Sequence, residues 1–411
     1  GYPGHEEIEL ALVKLYRVTG EKRYLDLARF FIDERGRQPH YYDQEAQARG
    51  EDPGAAWFGD YSYNQAHVPV REQVEPVGHA VRAMYLYCGM ADLAAEDGNP
   101  TLSAACENLW QRLVETRMHV TGGVGPTHAN EGFTQDYDLP NEGAYLETCA
   151  AIGLVFWAHR MLAVELDARY ADVMERALYN GVLSGMSLDG KTFFYGNPLA
   201  ASPGFDGNGQ FVRRPRKRQE DGSLPEAGVE DTFHYRRSEW FGCACCPPNL
   251  ARLLASLGQY VYATAPGALG VHLYVGGAAT VELAGTQVGI KQETDYPWSG
   301  DVRLTLSPAQ AAEFDLKLRI PGWCSQHTIR VNGQPVAAPI AKGYAHLRRT
   351  WQEGDTVELT LNMPVERIAA HPRARQNVGK VALHRGPLVY CLEECDNPQV
   401  SAMMVPPDAA I

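Results

Sequence analysis

The 411 residues carry 37 Lys and Arg against 50 Asp and Glu, a formal charge of −13, and 45% of them are hydrophobic. That length implies roughly two to three domains with ample apolar residue for buried cores. The acidic balance repels phosphate backbones and no basic, aromatic-studded face is present, which argues against nucleic acid as a partner. No apolar run approaches the roughly 20 residues needed to span a bilayer, which argues against a membrane partner.

The first 262 residues read as helical hairpins. Glu6 to Tyr16 places Ile8, Leu12, Leu15 and Tyr16 on one stripe with acids leading, as a helix N-terminus favours. The turn Thr19-Gly20-Glu21 precedes a second helix over Arg23 to Ile32. His79 to Leu93 and Thr101 to Thr116 flank the turn Asp97-Gly98-Asn99-Pro100 as a second pair. Tyr145 to Val164 and Arg169 to Leu183 form a third, and Asn249 to Val261 a half pair. Helical hairpins joined by long crossings suggest an α/α toroid. About seven helices are counted against the twelve of six hairpins, so the ring is expected to be open or to lack helices upstream of Gly1. The crossings over 37–78, 120–143 and 184–248 exceed ordinary loop length, as functional loops do.

From residue 263 to 411 the period becomes two. Val271 to Val275, Ala279 to Leu283, Val302 to Leu306, Phe314 to Ile320, Thr328 to Val331 and Thr356 to Leu361 alternate faces. Asn332-Gly333 marks a hairpin, and Val381 to Leu392 a further strand pair. This half is expected to be an antiparallel β-sandwich, with a polar tail from Glu393 that lacks a closing element. The fold class is thus α+β and multidomain.

Three features carry chemistry. Nine cysteines, an odd number, argue against a disulfide framework, and Cys243, Cys245 and Cys246 crowd just before the helix-starting pair Pro247-Pro248. Unpaired backbone N–H groups at a helix N-terminus stabilise a thiolate there. Glu147-Thr-Cys149 offers a carboxylate and a thiolate two residues apart. Glu147, Cys149, Cys245 and Cys246 together make a four-ligand set that tetrahedral Zn²⁺ accepts; the bland alternative is buried cysteine filler. Glu131, on the glycine-framed crossing Gly123 to Asn141, is a candidate proton donor or else a solvated loop acid.

At these residues the chain resembles glycoside hydrolase family 127, the β-L-arabinofuranosidase family. The resemblance rests on His128-Ala-Asn-Glu131-Gly-Phe, Tyr137-Asp-Leu-Pro-Asn141, Glu147-Thr-Cys149-Ala, Glu175-Arg-Ala-Leu-Tyr-Asn-Gly181 and Cys245-Cys-Pro-Pro-Asn249. Gly4-His5-Glu-Glu-Ile-Glu9, Gly78-His-Ala-Val-Arg82, Leu318-Arg-Ile-Pro-Gly-Trp323 and His384-Arg-Gly-Pro-Leu-Val389 extend it along the chain. It implies an (α/α)6 barrel followed by β-sandwich modules. It further implies Zn²⁺ on Glu147, Cys149, Cys245 and Cys246, Cys245 as nucleophile, and Glu131 as general acid/base. His79, Glu175, Tyr195 and, more loosely, His5 would line the sugar pocket. The expected activity is a retaining glycosidase acting on an oligosaccharide or glycoside.

Other readings are a toroid enzyme of another reaction type, an epimerase or unsaturated-uronyl hydrolase, and a non-catalytic zinc-stabilised carbohydrate-binding module. The basic cluster Arg213 to Arg218, within the insertion Phe205 to Glu239, reads as a solvated loop before an aglycone-shaping one. Ligating thiols and the lack of a leader after Gly1 favour the cytoplasm, and a homo-oligomer is left open.

Overall fold

The computed structural model describes residues 1–53, 61–201, 237–397, 399–406 and 409. Among them a helical first part is followed by a sheet-rich second part. The basic cluster Arg213 to Arg218 lies outside the described residues. Two compact units result: residues 1–165, 177–253 and 371–378 form one, and 166–176, 254–370 and 379–411 the other.

The helices of the first unit are α1 (Ile8–Thr19), α2 (Lys22–Glu34), α3 (Tyr41–Arg49), α4 (Ala80–Asp97), α5 (Pro100–Thr116) and α6 (Thr148–Val164). After α7 (Ala168–Arg176), which belongs to the second unit, most of α8 (Cys246–Ala255) completes the set. Gly20 and Gly98 end α1 and α4 in the left-handed conformation, and the Asn99 side chain caps α5 by accepting from Thr101 and Leu102 N–H. These turns make α1 with α2, and α4 with α5, the expected hairpins. α4 and α6 are buried over most of their length rather than on one stripe, which marks them as central helices. Gly153 on α6 lets the two approach, because an added Cβ would stand 2.7 Å from the Met84 Cβ. Beside that contact Trp157 packs between Tyr87 and Trp110, with ring centroids 4.8 and 5.0 Å away. No helix among the described residues is long and apolar enough to cross a membrane.

Two helical expectations change. The segment read as one helix from Arg169 to Leu183 leaves α-geometry after Arg176, continuing as a π-turn over Ala177–Val182 and a 3₁₀ turn over Leu183–Gly185. Such π-turns accompany close packing at functional sites, and this one lies on α6. The helix expected from Tyr145 is α6, which starts at Thr148 and leaves Tyr145 to Glu147 in front of it.

The second unit contains β1 (Tyr262–Ala265), β2 (Ala268–Val271), β3 (Gly277–Leu283), β4 (Thr286–Thr294), β5 (Asp301–Pro308), β6 (Ala312–Arg319) and β7 (His327–Val331). It continues with β8 (Gln334–Pro335), β9 (Ile340–Ala341), β10 (Tyr344–Trp351), β11 (Asp355–Leu361), β12 (Val365–Ala369), β13 (Val381–Arg385) and β14 (Leu388–Tyr390). They order as β1-β2-β6-β10-β9, β3-β4-β5-β11-β7-β8 and β12-β13-β14. Alternate residues of β5 and β11, Val302, Leu304, Leu306, Val357, Leu359 and Leu361, face inward. Gln292 on β4 donates to the Tyr262 hydroxyl and the Leu273 carbonyl, tying the six-stranded sheet to the edge of the five-stranded one. Asn332 and Gly333 turn β7 into β8 with both φ positive, as a type I′ hairpin requires. The sheets are not wholly antiparallel, since β2 pairs β6 in parallel. The strand expected over Val271 to Val275 ends at Val271, where the His272 ring turns in to bond the Tyr344 hydroxyl at 2.7 Å.

Within this unit Arg319 is fully buried and serves two carboxylates of α7. It donates to Asp172 at 2.6 Å, to Glu175, and to the His272 carbonyl at 2.6 Å. Glu175 also accepts from the Tyr296 hydroxyl at 2.5 Å and from Trp323 Nε1 at 3.2 Å. Removing the cation would strand buried anions. We therefore expect Arg319→Met to lower unfolding free energy by roughly 3–5 kcal/mol in urea titrations, where a change under about 1 kcal/mol would contradict the role.

Candidate metal-binding and active site

The first unit brings two helix N-termini to one point. Glu147 is the residue before α6 and Cys149 stands in its first turn; Cys245 is the residue before α8 and Cys246 its first residue. Helix α8 thus starts one residue ahead of the expected prolines, with Asn249 N–H closing onto the Cys245 carbonyl at 3.1 Å. Leu146, at φ 44°, makes the sharp turn that aims Glu147 inward, and the Glu147 carboxylate makes no cap bond to its own helix. The segment around Tyr195 lies along the same helix end: Thr148 N–H donates to the Tyr195 carbonyl at 2.9 Å and the Thr148 hydroxyl to the Phe194 carbonyl at 2.8 Å.

The side-chain distances are short and even. Cys149 Sγ lies 3.5 Å from Cys246 Sγ, and Cys245 Sγ 3.7 Å from Cys246 Sγ. Glu147 Oε1 lies 3.3 Å from Cys245 Sγ and 3.7 Å from Cys246 Sγ. Ligand atoms at zinc-thiolate bond length on a tetrahedron stand about 3.8 Å apart, so the spacing matches four ligands on one small cation. Glu147 Oε2 is buried without a hydrogen-bond partner, a donor atom left open. These four groups could hold a metal ion.

Electrostatics point the same way. The Cys149 and Cys246 thiols, aided by the Tyr195 hydroxyl at 3.2 Å, hold the Cys245 thiol far below its ordinary range. Burial pushes Glu147 and Cys246 well up, and the bond to Cys245 does the same for Cys149. By itself the pocket thus favours the anion at Cys245 and disfavours it at the other three acids. A dication would let all four ionise.

Glu131 and His79 adjoin this cluster, their polar atoms and a Glu147 oxygen all lying within 4.8 Å of one another. His79 Nε2 is 2.8 Å from Glu131 Oε2, and that bond is the main cause of the lowered Glu131 carboxyl pKa. The His5 ring centroid is 6.1 Å from that of His79. Cys149 and Cys246 are buried, whereas Cys245 is partly exposed and the Glu131 side chain is 43% accessible.

The family model for the GH127 catalytic domain of β-L-arabinofuranosidase matches residues 1–259, the GH127 middle-domain model 268–363 and the family 127 C-terminal model 365–411. The chain belongs to glycoside hydrolase family 127. It is 42% identical over 410 residues to the non-reducing end β-L-arabinofuranosidase of Bifidobacterium longum subsp. longum, covering 97% of this chain and 58% of that one. A GH127 β-L-arabinofuranosidase structure from Geobacillus stearothermophilus T6 matches with TM-score 0.88 at 55% identity, over 97% of this chain and 60% of that one. A second GH127 β-arabinofuranosidase structure matches with TM-score 0.80 at 40% identity, over 96% and 57% of the two chains. This family 127 chain therefore spans about three fifths of the length of these relatives.

Glu147, Cys149, Cys245, Cys246, Tyr195, Glu131, His79 and His5 thus gather in one unit. Glu175, expected to line the sugar pocket, instead has its carboxylate engaged by Arg319, Tyr296 and Trp323. In sequence a Glu that faces sugar and one that faces a buried guanidinium look alike. Two tyrosines went unread. Tyr145 lies two residues before Glu147 and packs 6.2 Å from the Tyr195 ring, a closeness in sequence to Glu147 that could have marked it. Tyr63 meets His79 edge-on at 5.5 Å from a long crossing that carries no local signal. We expect purified protein to hold about one dication per chain by elemental analysis, with Glu147→Ala and Cys149→Ala each weakening it at least about tenfold. Chelation should lower the thermal midpoint and re-addition restore it; an unmoved midpoint and full occupancy in both variants would refute the site.

Proposed function

We propose that this chain is the catalytic part of a retaining glycosidase acting on β-L-arabinofuranosides, with Zn²⁺ held by Glu147, Cys149, Cys245 and Cys246. The observation that carries the reading is the pairing of one accessible, thiolate-favouring sulfur, Cys245, with one accessible carboxylate, Glu131, beside a four-ligand cluster. The arabinofuranosidase relatives favour that sugar class among glycosides.

Retention of configuration needs a nucleophile on one face of the sugar and an acid/base on the other. Cys245 Sγ attacks the anomeric carbon as its bond to the leaving oxygen breaks, and Glu131 gives that oxygen a proton. Glu131 then takes a proton from water as the water oxygen displaces Sγ from the same carbon. Bound zinc would supply the positive charge that keeps three thiolates ionised together and makes sulfur a better leaving group. Tyr195, whose hydroxyl is 3.2 Å from Cys245 Sγ, orients the sulfur, while His5 and Tyr145 stand beside the space a sugar would enter.

We also read the pairs α1 with α2 and α4 with α5 as hairpins of an α/α toroid, and the two larger sheets as layers of a sandwich. The three site cysteines must stay reduced to act, which suits a reducing cytoplasm. Cys245→Ser should abolish turnover of an aryl β-L-arabinofuranoside, and Glu131→Gln should lower it about 10²–10⁴-fold with the thermal midpoint of the metal-loaded fold retained. Wild-type rates in folded Cys245→Ser would overturn the assignment.

A further inference from the structure

Glu131 is mounted on the first turn of α4. Its carbonyl accepts from Ala80 N–H at 3.0 Å, while Phe133 N–H donates to the Gly78 carbonyl at 2.9 Å. Only glycine fits at 132, because an added Cβ would stand 1.7 Å from the Gly78 oxygen. Glu131 itself is held at φ 51°, a left-handed conformation that a non-glycine residue adopts at a cost.

The same helix end supplies the side-chain contact. His79 caps α4, its Nδ1 accepting from Arg82 N–H at 3.3 Å. A ring nitrogen that accepts carries no proton, so the imidazole proton sits on Nε2. Nε2 points at Glu131 Oε2, 2.8 Å away, so this hydrogen bond runs one way: His79 donates and Glu131 accepts. The His79 backbone is pinned as well, its N–H to the Tyr63 carbonyl at 3.2 Å and its carbonyl to Gln65 Nε2 at 3.1 Å.

We propose that His79 is a positioning residue that acts through Glu131, its helix cap fixing the Nε2–H tautomer so that Oε2 is held and Oε1 is the oxygen that exchanges the proton. This rests on the glycosidase reading and assigns His79 a task other than gripping sugar. In the first step the Oε1–H bond breaks as a new O–H bond forms on the departing oxygen. In the second, a water O–H bond breaks and the proton returns to Oε1. Oε2 keeps the imidazole N–H throughout.

Two measurements test it on the protein. Long-range nitrogen–proton NMR of isotope-labelled imidazoles, with the His79 signals identified by their loss in His79→Asn, should show a proton on Nε2 and an unprotonated Nδ1. A proton on Nδ1 would overturn the proposal whether or not the chain turns over arabinosides. In kinetics, Asn can still cap α4 but does not reach Glu131. His79→Asn should therefore cut kcat on the order of 10²-fold with KM changed less than about threefold. That loss should be at least about tenfold greater for an alkyl than for a nitrophenyl leaving group, because the alkyl oxygen needs the proton more. A rise in KM with kcat intact, or equal losses for both leaving groups, would make His79 a sugar-binding residue and refute the assignment. Absence of turnover by wild type on every arabinoside would instead sink the glycosidase reading, with the NMR result still deciding the tautomer.

Discussion

Four acids crowded at two helix N-termini govern the organisation of the first unit. Glu147, Cys149, Cys245 and Cys246 share a space within 4.8 Å, most of it buried, where burial works against the anion at Glu147 and Cys246 and the neighbouring thiols favour it at Cys245. Assembling such a group is costly unless positive charge compensates it. The chain provides part of that charge as the N-terminal ends of α6 and α8, whose unpaired N–H groups and dipoles favour anions. The orphaned Glu147 Oε2 has no hydrogen-bond partner among these groups, and a bound dication would supply it a partner.

Helix ends can be aimed this way only if the helices themselves are rigid. Helix α6 achieves this by being buried nearly all round, with Gly153 admitting α4 and the Arg160–Asp92 pair, 2.6 Å apart, tying the far ends of the same two helices. The first turn of α6 carries ligands and the first turn of α4 carries His79 and receives the Glu131 carbonyl. One helix–helix contact thus registers the Glu147 and Cys149 end of α6 against the His79 end of α4, to which Glu131 is bonded. Reacting atoms misplaced by an ångström lose large factors in rate, so this packing is as much a part of the site as its ligands.

Residue chemistry made the cluster partly legible: adjacent cysteines ahead of paired prolines suggest a soft cation, whereas a carboxylate two residues from a thiol is a weak signal that gained meaning only beside the family's motifs. Hairpin turns were legible for a similar reason, since Gly20, Gly98 and Asn332-Gly333 must take positive φ. What escaped reading lacked a local pattern. Helix α3 buries Ala46 alone and so shows no stripe. Strand β4 carries Gly289 at its centre and the polar Gln292 on its inner face, which blurs the alternation. Strand β10 breaks period two with Arg348, Arg349 and Thr350 exposed in a row. The parallel pairing of β2 with β6 is a matter of topology, which no window of sequence contains.

The two glutamates assigned to sugar chemistry by resemblance show where sequence stops and environment decides. Glu175 is 1% exposed and receives hydrogen bonds from Arg319, Tyr296 and Trp323, so its oxygens face fixed protein donors. A carboxylate bound in that way is fixed by neighbours that cannot leave without stranding buried polar groups. Glu131 has one oxygen taken by His79 and a side chain 43% accessible. One held oxygen and one open oxygen is the arrangement a proton shuttle needs, because the held atom supplies orientation and the open one the reaction. The number of donors per carboxylate, rather than the identity of the side chain, separates Glu175 from Glu131.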